Sequence, residues 1–143
     1  VGVLLCSELG FKQVIDADFS LVIVNQMHAR FPSHCFSVVD AMALPFKDKS
    51  IDIIFCKGMF DSITADNTTR SANAAAVVSE VARVLTSDGE YLIFSTFGPD
   101  DTTKDMVALL AHPALSLSIE EIPGPPFEIP DQPCTFLYRL RRR

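Results

Sequence analysis

Apolar residues in this chain come in short bursts whose period changes. Residues 13–19, QVIDADF, read as a short buried strand that ends in acid. Ser20 stands where a helix cap belongs. After it Leu21, Val24, Met27 and Phe31 recur at three- and four-residue steps, which marks one helical face, and Pro32 stops that helix. CFSVVD, rich in β-branched residues, predicts a second strand ending at Asp40. AMALPF is irregular because Pro45 blocks a regular continuation, and KDKS is a polar turn. IDIIFC is a third strand. KGMFDSITADNTTR has little apolar order and reads as a long connection.

The spacing of Val77, Val81, Val84 and Leu85 predicts a helix over 72–85. Asp88-Gly89 then makes a turn into a fourth strand, EYLIFSTF, and a short helix over 103–111 ends before Pro113. LSIEEI and CTFLYRL are two final strands around a proline-rich loop over 123–133. No helix fits between them, so they should pair antiparallel. Strands alternating with helices give an α/β fold. The expected sheet is Rossmann-like, mostly parallel, with an antiparallel C-terminal strand pair. The apolar strands suit a sheet covered on both faces. At 143 residues, with no internal repeat, the chain reads as a single domain.

Composition narrows the function. A hydrophobic share of 48% and a charged share of 21% fit a packed core. The longest apolar runs are far short of a membrane span. The net charge is −6 although Arg139, Arg141, Arg142 and Arg143 crowd the end, so the rest is more acidic still. Such a body argues against specific nucleic-acid binding, and the RLRRR end reads as a solvated strand terminus. Cys6, Cys35, Cys56 and Cys134 are far apart, as are His28, His34 and His112, so no metal site is expected. The cysteines read as reduced core or near-core residues of a cytoplasmic protein.

The remaining chemistry sits at strand ends. Ligands of an open parallel sheet bind beyond the carboxyl ends of its strands. Asp18, Asp40 and the Cys56–Gly58 segment all fall there. A carboxylate at Asp18 offers two acceptor oxygens to adjacent ribose hydroxyls, and Asp16 lies deeper on the same side. Asp40 can accept from an exocyclic amine of adenine while the Ala41 backbone reads the ring. Phe19 can pack on the nucleoside. The competing reading is that each aspartate caps its own turn. Two acids at neighbouring strand tips, with LPF following, favour the ligand.

VIDADFS, the run D-A-x-x-LPF-x-D-x-S-x-D, CKGMFD and EVARVLTSDGEYLIFS together resemble the class I S-adenosylmethionine-dependent methyltransferases. The likeness extends from about Gly10 to Phe97 and is nearest the branch of elongation-factor and citrate-synthase lysine methyltransferases. This resemblance implies S-adenosylmethionine as cofactor and a protein lysine or N-terminus as substrate. It implies Asp18 on the ribose, Asp40 and Ala41 on the adenine, and Lys57 and Gly58 near the donor end. Asp61 would lie near the target amine, and Asp52 would support the start of its strand. Ser95 and Thr96 end the fourth strand near the crevice, with their role open.

One family element has no counterpart. The glycine-rich loop after a first strand, which approaches the methionine part of the cofactor, is not matched, because Gly2 and Gly10 are isolated. VGVLLCSELGF instead resembles the tail of the helix that follows that loop. Together with Val1 in place of a methionine, this reads as a fragment lacking the first strand. Val14–Asp18 and Ile51–Phe55, the strands that would flank it, would then each have an open edge, unless another pairing or a partner strand closes it. Cofactor binding by the chain alone would be weak. The alternatives are a catalytically inactive methyltransferase-like binding module and a dinucleotide binder, the latter without a GxGxxG to support it.

Overall fold

The structure, a computed structural model, describes Glu8 and residues 10–123 and 134–143. It divides into two compact units, residues 1–45 and 46–143. The helix-tail reading of residues 1–11 lies mostly outside the described residues, although Glu8 is helical. The proline-rich loop lies almost wholly outside them, as do Cys6 and the side chain of Cys134.

The first unit pairs β1 (Ile15–Asp18) with β2 (Cys35–Val38) in parallel, Asp18 opposite Val38. Helix α1 (Leu21–Arg30) joins them. Ser20 caps it as the sequence predicts, its Oγ accepting from the Ile23 amide at 3.4 Å. The helix stops at Phe31, ahead of Pro32. Its apolar face is less covered than the periodicity suggests: Val24 is buried, but Leu21 is 61% exposed. His28 Nε2 lies 3.0 Å from the Phe36 carbonyl and ties the helix to β2. Cys35 is exposed, contrary to a core reading, because its end of the strand lies at the surface.

The second unit is a four-stranded sheet in the order β3-β4-β6-β5, where β3 is Ile51–Lys57, β4 Leu85–Ser95, β5 Leu115–Pro123 and β6 Cys134–Arg142. β3 and β4 are parallel, while β6 runs antiparallel to both β4 and β5. Between β3 and β4 lie α2 (Met59–Ile63) and α3 (Arg70–Val84), and α4 (Met106–Leu109) precedes β5. The connection KGMFDSI therefore contains a helical turn, which its mixed composition hid. Phe60 anchors it, fully buried. The core is built by Val77, Val81 and Val84 of α3 with Tyr91, Ile93, Tyr138 and Leu140, all 2% exposed or less.

Three sequence expectations change here. The Asp88-Gly89 turn is absorbed into β4, whose register against β3 shifts between Ile51 and Ile53. The sheet is not closed on both faces, since Ile53 and Phe55 are 46% and 39% exposed, and the Phe55 ring meets Phe94 at 5.0 Å. Apolarity along a strand marked a buried neighbourhood but not which face is covered. The C-terminal arginines are structural rather than merely solvated. Arg142 donates to the Ala82 and Leu85 carbonyls at 3.0 and 2.8 Å, where α3 leaves acceptors unpaired. Arg141 donates to Glu90 at 2.6 Å. Asp52 does support the strand start, accepting from Thr86 Oγ1 at 3.1 Å.

Among the described residues β1 pairs with β2 alone and β3 with β4 alone. No helix of the described residues is long and apolar enough to cross a membrane.

Gly89 is held by backbone. A Cβ there would lie 3.0 Å from the Thr86 amide nitrogen and 3.1 Å from the Ile51 carbonyl. Gly89→Ala should cost about 1–3 kcal/mol of stability, as overpacking of a site that cannot give does. A urea midpoint equal to that of the unaltered chain would contradict this. Arg142→Met keeps the aliphatic stem and removes both donors. It should lower stability by about 1 kcal/mol, with two helix-end carbonyls left to water, and an unmoved midpoint would assign those bonds no net value.

Candidate functional site

The acids predicted at strand tips are found at strand tips. Asp18 closes β1, and Asp40 lies two residues past the end of the parallel strand β2. Each also makes the local turn that was the competing reading. Asp18 Oδ1 accepts from the Ser20 amide at 2.8 Å, and Asp40 Oδ1 accepts from the Met42 amide at 2.9 Å. The turns fix each carboxylate through Oδ1. Both aspartates are exposed, Phe19 between β1 and α1 is 83% exposed, and Ala41 is half-buried. Asp16 is half-buried as well. Two hydrogen-bond-accepting acids and a bare aromatic ring on one unit are a set of groups that fits a nucleoside.

In the second unit, β3 ends at Lys57 and the chain turns at Gly58 into α2. Gly58 has φ 74°, the left-handed conformation that glycine adopts without strain, and open space where a Cβ would stand. Lys57 is exposed. Cys56, just before it, is buried, and burial pushes its thiol up, so it is held as a neutral thiol rather than a nucleophile. Burial raises the Tyr91 hydroxyl too.

Asp61 is the centre of the unit's polar cluster. Its Oδ1 accepts from Ser95 Oγ at 2.8 Å, so the end of β4 meets the first turn of α2. Lys104 reaches the same residue from the loop before α4. Its Nζ donates to the Asp61 carbonyl at 3.0 Å, stands 3.9 Å from Oδ1, and lies 4.2 Å from the Phe97 ring centroid. The Lys104 side chain is only 2% exposed, and that of Asp61 17%. Burial pushes the Asp61 carboxyl above the usual range, and the Ser95 hydroxyl and the Lys104 charge pull it back part of the way. Burial likewise lowers Lys104, opposed by the Asp61 carboxylate. Tyr138, donating to the Phe97 carbonyl at 2.8 Å, and Arg70, donating to the Thr64 and Thr103 carbonyls at 2.8 Å each, fix the surrounding chain.

Sequence reasoning singled out Asp61 and noted the placing of Ser95. It missed Lys104, which sits in the polar stretch DDTTKD with nothing in the pattern to separate it from a surface lysine. Only the fold of the loop back onto α2 reveals it. Among the described residues no group of His, Cys, Asp or Glu is arranged to hold a metal ion.

The methyltransferase domain family matches residues 2–93. EEF1A lysine methyltransferase 4 of Mus musculus is 32% identical over an aligned stretch of 100 residues, and the match covers 63% of this chain and 39% of that protein. The eEF1A lysine and N-terminal methyltransferase of Xenopus laevis is 31% identical over 93 aligned residues, and the match covers 62% of this chain and 13% of that protein. The chain thus spans well under half of these curated relatives. A solved S-adenosylmethionine-dependent methyltransferase from Methanosarcina mazei superposes with a TM-score of 0.69 at 16% identity, over 90% of this chain and 81% of its own, a likeness of fold. The family match over most of its length makes this chain a member of the methyltransferase domain family.

Proposed function

We propose that this chain forms part of an S-adenosylmethionine-dependent methyltransferase that modifies an amine of a protein, a lysine side chain or an N-terminus. The observation that supports it most is Asp61, a partly buried carboxylate at the start of a strand-end helix, oriented by Ser95 and Lys104. The names of the relatives, which act on eEF1A, point the same way.

The roles follow from the side chains. In the first unit, Asp18 takes the ribose hydroxyls, Asp40 with the Ala41 backbone takes the adenine, and Phe19 covers the nucleoside. In the second, Lys57 and Gly58 approach the donor end, where the absence of a side chain at Gly58 leaves backbone accessible. Bound S-adenosylmethionine supplies a methyl group on a sulfonium. Transfer of that methyl group would need an unprotonated amine lone pair, and the residues named here would hold donor and amine in place for it. The protein contributes position and a shielded polar surround rather than covalent chemistry. Asp61 receives the amine and aims it. Lysine, with a pKa near ~10.4, must first lose a proton to attack. Free Cys35 and Cys56 accord with a reducing, cytoplasmic setting.

Calorimetry on the full-length protein tests the donor assignment. Asp18→Ala and Asp40→Ala should each weaken S-adenosylmethionine binding about tenfold, the value of roughly 1.4 kcal/mol for hydrogen bonds to a charged acceptor. Unchanged affinity in both would remove these residues from the site. Binding of NAD in place of S-adenosylmethionine would make the protein a dinucleotide binder, and binding of neither would leave a non-catalytic module. Asp61→Ala should lower kcat/KM for a lysine peptide at least tenfold while donor affinity holds. Equal turnover would exclude Asp61 from amine handling.

A further inference from the structure

A carboxylate facing a substrate amine creates a difficulty. It orients the amine, but it also stabilises the ammonium form, which has no lone pair with which to attack. The surroundings of Asp61 contain an answer. The groups facing it are Cys56 from β3, Tyr91 and Ser95 from β4, Tyr138 from β6, and Lys104 from the loop before α4, while Arg70 from α3 and Asp101 act on Lys104. Burial keeps Cys56, Tyr91 and Tyr138 protonated and neutral. The nearest ionic group is Lys104, 3.9 Å from Asp61 Oδ1.

Lys104 is not free to swing into solvent. Its side chain is 2% exposed, its Nζ is bonded to the Asp61 carbonyl at 3.0 Å, and the Phe97 ring lies under it. The preceding residue is pinned, since Arg70 holds the Thr103 carbonyl and, through Nε, the Thr64 carbonyl just past α2. Asp105 caps α4 on the other side, its Oδ1 accepting from the Ala108 amide at 2.9 Å. The cation is thus built in at a fixed distance from the carboxylate. A carboxylate has about four acceptor sites, so Asp61 can hold Ser95, face Lys104 and still accept from an amine.

We propose that Lys104 is a positioning residue that sets the protonation state of the amine received by Asp61, a role that rests on the amine reading given above. Lys104 offsets the negative charge, so the incoming amine finds a hydrogen-bond acceptor without a net anion. A second cation beside Lys104 is disfavoured, and the substrate ammonium releases its proton to water at a lower pH than it does in free solution. The neutral amine then carries its lone pair to the methyl carbon. Lys104 itself gains and loses nothing in the transfer.

The test compares the full chain with Lys104→Met, which keeps length and the contact with Phe97 but removes the charge. Carbon-13 NMR of the Asp61 carboxyl reads the pairing with no need for turnover, and its titration should move to higher pH in the variant. The pH profile of kcat for a lysine peptide, which reports ionisations within the enzyme–substrate complex, reads the role. Its rising limb should move up by about one pH unit, giving roughly tenfold slower turnover at neutral pH that recovers near pH ~10. An Asp61 titration unmoved by the substitution overturns the inference, as does a shifted titration with an unshifted rate profile. A shifted titration in a protein that methylates no amine at any pH instead overturns the amine reading and the role built on it, with the pairing intact. Should the variant not fold, nitrogen-15 NMR of Lys104 in the unaltered chain decides. Its Nζ resonance should respond as Asp61 titrates, and a flat response overturns the proposal.

Discussion

Parallel strands deliver their carboxyl ends to the same side of a sheet, and the placing of this chain's polar clusters depends on that constraint. β1 and β2 run in register, so Asp18 and Asp40 emerge at neighbouring tips. β3 and β4 run in register, so Lys57, Gly58 and the first turn of α2 emerge beside Ser95. The hydrogen bond from Ser95 to Asp61 is the direct product of that second pairing. A polar cluster is tolerable there because a strand tip borders solvent on one side and a packed core on the other. Asp61 and Lys104 are desolvated enough to shift each other's titration and paired enough to stay.

Much of this was legible in the chain. Ser20 before an apolar run, Pro32 after it, β-branched CFSVV, and two strands too close for a helix between them each map to one local physical rule, and each element appears. The acids were legible as strand-end residues because an apolar run that closes in aspartate marks where a strand leaves the core for a turn. What stayed hidden depends on distance along the chain. Lys104 meets Asp61 across 43 residues, Arg142 meets Ala82 across 60, and periodicity carries no term for either. The α2 turn was hidden for a different reason: at five residues it is shorter than the window in which helical period can be recognised.

The local turns at Asp18 and Asp40 are compatible with the ligand role proposed for them. Each carboxylate uses one oxygen to close its own turn, which holds the second oxygen in a defined direction without help from another side chain. A turn of this kind is a cheap way to preorganise an acceptor, since the ordering cost is met by folding and not by binding.

The order of strands in the second unit has a consequence for biosynthesis. β6 is made after β5 but lies between it and β4, bonded to both. While the chain emerges from the ribosome, β5 has no strand beside it until residues 134–142 have cleared the exit tunnel, and Arg142 reaches the end of α3 last of all. The α3–β4 half can form early from contacts close in sequence, but the sheet is completed in a single late step. A pause in translation before that point would hold the apolar residues of β5 uncovered, which is where a nascent-chain chaperone would be needed most.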